Sequence, residues 1–278
     1  MKIFRIIFVI IGVIFWAGCN SVTVLENDIT LDELEDCMEK AMDPKGVFAE
    51  SKSYYQSQSL KYEGIFTDDL YEIQIRYLKP HFLKVTTLKF NQLQSAFIFN
   101  GNAAWSVDYR EKTAKNLSGV ELVRVKSLYE MLTPGCRYSK LFKTIDFDKI
   151  KAADGKVYYR LTCSLDDEEN KLIVYINADT FLKEKIYYDF TTEIKGKKHR
   201  IKSESVIETY DTVNSVLYPL EMKSITNGVE SEIVVAEYRL NVELDESEFQ
   251  PPLFPNEPEN RKKHKLELQK RQEKANNF

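Results

Sequence analysis

The residues able to do chemistry are few and scattered. His81, His199 and His264 lie too far apart for metal-ligand spacing, so no zinc site is suggested. Asp146, Asp148 and Asp154 form a loose carboxylate cluster, but their setting reads as solvated loop. The chain has no G-x-S-x-G elbow, no glycine-rich phosphate loop, and no serine or cysteine with a base beside it in sequence. An enzyme site would have to be assembled from distant residues. The expectation is therefore a protein that is not an enzyme and that uses no metal and no cofactor. One thiol stands out by position alone, Cys19, at the end of an apolar run.

Lys2 and Arg5 precede that run, and Ile6–Trp16 is uncharged over about eleven residues, which suits a signal peptide. A spanning helix needs about twenty apolar residues, and Asn20 and Glu26 follow too soon. Trp16-Ala17-Gly18-Cys19 resembles the bacterial lipobox, in which small residues precede a cysteine that is lipidated and becomes residue one. Trp16 stands where an aliphatic is usual. Residues 1–18 read as a lipoprotein signal peptide and 19–29 as a tether, with the membrane held through lipidated Cys19. An ordinary signal peptide that ends near a cysteine is the alternative. Removing 18 residues from 278 leaves 260, enough for one β-rich domain or two smaller ones. The formal charge of −4 falls by two, to −6, when Lys2 and Arg5 are cut away, and an acidic body makes nucleic acid a poor partner. Cys37, Cys136 and Cys163 remain, with no C-x-x-C spacing; one disulfide plus a spare thiol, or none, are both open.

The elements that must position any site are mostly strands. Thr30 and Glu33 form a capping box for a helix whose Leu31, Leu34, Met38 and Ala41 share one side, with Cys37 beside them, until Asp43-Pro44. The period then changes to two. Tyr71, Ile73, Ile75 and Tyr77 alternate with Glu72, Gln74 and Arg76, flanked by strands at Tyr54–Gly64 and Phe82–Phe90. The stretch FIFNGNAAWSVDY, Phe97–Tyr109, reads as a hairpin on its Asn-Gly signal. A two-residue turn sets Trp105 beside Ile98, and a three-residue loop sets it beside Phe97. Glu121–Leu132 predicts a second amphipathic helix. Strands then follow at Val157–Leu165, Lys171–Ile176, Phe181–Phe190, Arg200–Tyr210, Leu217–Thr226 and Ser231–Val242. The spacing excludes a βαβ architecture. It predicts a mainly β fold, a curved antiparallel sheet of about eleven strands forming a half-barrel, with two or three helices over its concave face. That domain spans 30–252, and 253–278 is a proline-containing exit and basic tail, solvated or drawn to acidic lipid headgroups.

The order of these features resembles the LolA/LolB-like lipoprotein carriers. It rests on the helix-then-strand opening, Lys79-Pro80 before Phe82–Thr86, the Asn-Gly turn followed by Trp105, Tyr218-Pro219-Leu220-Glu221, and the closing Leu244-Asp245-Glu246-Ser247-Glu248-Phe249. The resemblance implies an apolar cavity that binds an acyl-bearing ligand, either a lipid or another lipoprotein, in the cell envelope. It also implies a periplasmic face and, since Asn20 follows Cys19, the outer membrane where there is one. A protein-interaction or envelope-stress-sensing module on the same fold is the alternative. The carriers show Asp-Gly where this chain has Asn100-Gly101. They also keep an arginine that helps latch the lid helices where this chain has Lys84, which cannot reproduce a planar fork.

Ligand-binding candidates on the alternating strands are Tyr71, Ile73, Ile75, Tyr77, Phe97, Phe99, Trp105 and Val107, each of which would otherwise fill a core. The family's anchored members carry an exposed leucine on the connection Phe90-Asn91-Gln92-Leu93 and use it to deliver cargo to the bilayer. Leu93 is accordingly the expected membrane contact; the alternative has Phe90 and Leu93 folded back on Phe97.

Overall fold

The computed structural model describes residues 22–62, 70–118, 137–164, 170–194 and 197–254. Cys19 with its leader, the helix expected at Glu121–Leu132, Cys136 and the basic tail lie outside the described residues.

Fourteen strands form one antiparallel sheet. In chain order they are β1 (Thr23–Leu25), β2 (Ser53–Tyr62), β3 (Leu70–Leu78), β4 (Phe82–Lys89), β5 (Gln92–Asn100), β6 (Ala104–Asp108) and β7 (Thr113–Leu117). They continue with β8 (Thr144–Lys151), β9 (Val157–Ser164), β10 (Lys171–Asn177), β11 (Lys183–Ile194), β12 (Lys197–Val213), β13 (Val216–Thr226) and β14 (Val229–Leu240). Three exceed the expected eleven: β1, β7 and β8. β1 lies within the stretch read as a tether, where Thr23 pairs with Lys151 and Leu25 with Lys149, so the free length is shorter than the sequence reading. β8 carries Asp146 and Asp148, which are therefore strand residues and not the solvated loop residues expected. Asp148 accepts from Arg160 Nε at 2.9 Å, and Asp154 caps its own turn through Lys156 N. Asp148 and Asp154 are thereby held in ordinary pairing and not in a cluster.

The spatial order is β1-β8-β9-β10-β11-β12-β13-β14-β2-β3-β4-β5-β6-β7. Pairing of β14 with β2 places the two ends of the domain at the sheet's centre. Ladder irregularities between β4 and β5, β10 and β11, β12 and β13, and β14 and β2 supply the bends a sheet this wide needs.

One face carries the helices. Register places Tyr54, Tyr77, Leu83, Phe99, Ala104 and Leu117 in a row on that face, and it continues across the sheet to Ile186, Val174 and Leu161. α1 (Leu31–Met42) starts at the expected box: Thr30 N donates to Glu33 Oε2 at 2.7 Å, and Glu33 N donates to Thr30 Oγ1 at 3.3 Å. It buries Leu34 and Met38 on β9 and β10, with Tyr138 and Phe142 of the α3 (Tyr138–Leu141) region beside them. α2 (Val47–Glu50) sets Phe48 on the β2–β3 end, and the Asp43 carboxylate caps it through Val47 N and Phe48 N. Cys163 is buried in this layer, and Cys37 is a free thiol.

Among the described residues, the opposite face is covered at one end. The chain after β14 runs over β4–β6 and seats Phe249, wholly buried, on Ala96, Ile98 and Val107.

Candidate functional site

Central to the helix-bearing face is a cavity of about 240 Å³. Its floor includes Val174, Ile186, Ile207, Met222 and Ile233, its roof Met42 of α1 and Tyr138 of α3, and its wall Tyr218 and Tyr238.

The backbone explains why a space opens there. The β13–β14 ladder stops at the pair Glu221–Val234. Just beyond it stands Pro219, which has no N–H to donate and suits a position outside the ladder. Tyr218 and Tyr238 stack across the gap with centroids 4.7 Å apart, and Tyr54 and Tyr77 continue the row at 5.6 and 5.0 Å. Such pairs add about 0.5–1.5 kcal/mol each beyond their burial. Burial pushes the Tyr54 and Tyr238 hydroxyls well above the ordinary 10, so both stay neutral. This row forms a rigid wall.

The roof is tied together by charge. Glu35 on α1, with no exposed side-chain surface, accepts from Ser139 N at 2.8 Å and Ser139 Oγ at 2.7 Å. Arg137 lies 3.8 Å from Glu35 and 3.6 Å from Glu39, and also pairs with Asp36.

Of the eight strand residues expected to bind ligand, Ile75 lines the cavity. Tyr77 and Phe99 face the same way but are packed in the aromatic core under Phe48. Tyr71, Ile73 and Phe97 share that face outside the cavity. Trp105 and Val107 point the other way. The hairpin takes the two-residue turn, with Asn100 N donating to Ala103 O, and so sets Trp105 opposite Ile98 under the C-terminal strap. Only Gly101 of the turn has positive φ, at 88°, so the glycine occupies the first central position and not the second. A Cβ there would also meet the His81 ring at 1.9 Å.

Most of the cavity comes from β10–β14, which the sequence reading marked as strands but did not nominate. Their alternation was visible. That β14 pairs with β2, and thereby sits at the centre, was not.

No protein-family model matches the chain, and no curated protein matches it. Solved structures do. A LolA superfamily protein from Nitrosomonas europaea aligns over 80% of this chain and 98% of its own, with TM-score 0.53 and 14% identity. A putative outer membrane lipoprotein-sorting protein domain from Vibrio parahaemolyticus aligns over 80% and 97%, with TM-score 0.50 and 14% identity. A DUF1329 family protein from Desulfovibrio piger gives 79%, 97%, 0.53 and 11%. The fold is LolA-like.

On this LolA-like sheet Lys84 faces away from the roof helices. Lys84 lies on the strap side, where its Nζ donates to Glu248 O at 3.1 Å, and burial lowers its pKa from the ordinary 10.5. Lys84 fastens the C-terminal strap. Among the described residues, the polar contacts that join the roof helices are those of Glu35, Ser139 and Arg137.

Proposed function

We propose that this chain is an envelope lipoprotein that takes up an acyl chain of a lipid or of another lipoprotein and passes it on intact. The reading is carried by one observation: a largely apolar cavity of about 240 Å³ beneath two helices on a LolA-like sheet. Ligand pockets generally run from about 300 to 1,000 Å³. A cavity below that range suits one chain, not several, unless the roof lifts. Each CH₂ taken from water contributes about 0.8 kcal/mol, so a long chain is held by burial alone. No bond is made or broken in this scheme, and no cofactor takes part.

In the same reading Cys19 is acylated and holds the domain at a membrane, facing the periplasm, on the outer membrane where the cell has one. One acyl chain alone binds membranes only marginally, so firm anchoring takes more than one. Cys19→Ser then moves the protein to the soluble fraction, and continued membrane attachment would show that the anchor lies elsewhere.

Native mass spectrometry of the protein released gently from membranes tests the cavity. The expected spectrum shows an acyl-bearing adduct that is lost from Met222→Trp, a substitution that fills the cavity from its floor. A bare protein, or an adduct indifferent to that substitution, overturns the reading.

A further inference from the structure

Two positions on β2 break the apolar chemistry of the helix-bearing face. Along β2 the side chains on that face are Tyr54, Gln56, Gln58 and Leu60. Gln56 lies between Ile75 on β3 and Tyr238 on β14, and Gln58 between Ile73 and Val235. Both line the cavity, and Gln58 is 8% exposed. An apolar pair would satisfy the alternation and cost nothing in desolvation. Breaks of a local rule of this kind concentrate at functional sites.

The two carboxamides also leave hydrogen-bonding capacity unspent. Gln56 Nε2 donates to Gln58 Oε1 at 2.8 Å. Among the described residues that is the only hydrogen bond of either side chain. Each carboxamide carries two N–H donors and one carbonyl acceptor. Whichever way the pair is turned, one amino group and one carbonyl remain without a partner. From Ser205, also on the cavity wall, a run of mutually bonded hydroxyls leads outward: Ser205 to Ser224 at 2.9 Å and Ser203 to Thr226 at 2.8 Å.

A free donor beside a free acceptor matches a secondary amide, which presents one C=O and one N–H. An ester presents acceptors only, and a carboxylate presents acceptors with a full charge. We infer that Gln56 and Gln58 clip the amide that joins an acyl chain to its headgroup, so that the ligand class is N-acyl compounds. This inference rests on the acyl-binding reading above. The tail lies against Ile207, Met222 and Ile233, the row next to the glutamines, and the amide at the two glutamines.

Three probes of equal chain length decide it by calorimetry on the folded protein: N-methyldecanamide, methyl decanoate and sodium decanoate. The amide is expected to bind tightest. Gln58→Leu, close in size and without hydrogen bonds, should weaken the amide roughly tenfold and the ester little. Gln56→Leu provides the same comparison if the first variant does not fold. Equal binding of all three probes, or an amide preference that survives both substitutions, overturns the clip while leaving the acyl reading in place. Preference for decanoate that disappears in Lys183→Gln overturns it in favour of a charged headgroup. Failure of all three probes to bind overturns the clip and the acyl reading together.

Discussion

The buried carboxylate of Glu35 holds Ser139 twice, through its backbone N–H at 2.8 Å and its hydroxyl at 2.7 Å. The pair joins the two helices whose Met42 and Tyr138 roof the cavity. Any ligand that enters from above must part them, so the contact sets a barrier as well as a stability.

Ser139→Ala removes the hydroxyl bond and leaves part of a buried charge unsatisfied, at roughly 1.5–3 kcal/mol. The cavity walls are untouched. The expected result is a lower Tm together with faster release of a fluorescent acyl probe in stopped flow. An unchanged release rate beside a lowered Tm would reduce the contact to scaffolding.

Phe249 makes the converse case. It is wholly buried on the face opposite the cavity, against Ile98 and Val107. Phe249→Ala should cost about 3–5 kcal/mol in unfolding free energy. The molecules that remain folded should bind an acyl probe as before. Loss of binding in proportion to nothing but this substitution would mean that the two faces are coupled.

These two residues show what the sequence made legible. The capping box at Thr30 and Glu33 and the alternation from Tyr71 to Tyr77 act locally, and both stand in the structure as read. The ending that contains Phe249 was noticed as a motif, but its docking site depends on which side of β5 and β6 faces out. A single-residue choice of hairpin turn decides that, and with it whether Trp105 looks into the cavity or under the strap. The roof was legible only in part. Glu35 reads as one more acid on a polar helix face, and its partner Ser139 is 104 residues away. β8 could have been found, since Ile145 and Phe147 alternate with Asp146 and Asp148. The three aspartates drew the reading toward a loop.

At the sheet edge, Asp28 accepts from Lys149 Nζ and from Tyr159 OH, both at 2.7 Å. The hydrogen bond from Lys149, then that from Tyr159, lowers its pKa from the ordinary 3.8. A depressed acid contributes stability above its unfolded value, and the contribution is lost as pH falls through the folded value. The attachment of β1 should therefore hold above about pH 4 and loosen below it. NMR shifts of the Val24 and Leu25 amides, followed from about pH 6 to about pH 3, should show this step. Asp28→Asn should show the loosened positions throughout. Shifts that do not move in the native protein would assign the anchoring to the β1–β8 ladder alone.

The turn between β4 and β5 carries a side chain that its backbone disfavours. Phe90 and Asn91 both have positive φ, 51° and 60°, and form a two-residue turn in which glycine, asparagine or aspartate is usual. Phe90 is nonetheless there and is 72% exposed, with Leu93 beside it at 46%. Neither is folded back into the hairpin. Exposed Tyr62, Leu70, Ile225 and Val229 lie at the same end of neighbouring strands, and Lys89 Nζ sits 5.7 Å from the Phe90 ring centre. A strained conformation kept at an exposed aromatic argues for a role at that tip, and we propose contact with a bilayer, the role expected of Leu93. Phe90→Asn should raise Tm slightly, since a non-glycine, non-asparagine residue in this conformation costs about 1–2 kcal/mol. Leu93→Glu should leave Tm nearly unchanged. Both should slow transfer of a bound acyl probe to vesicles, the first despite its greater stability. Transfer at the native rate in both variants would remove the rim from membrane contact and leave Phe90 as strain without a use.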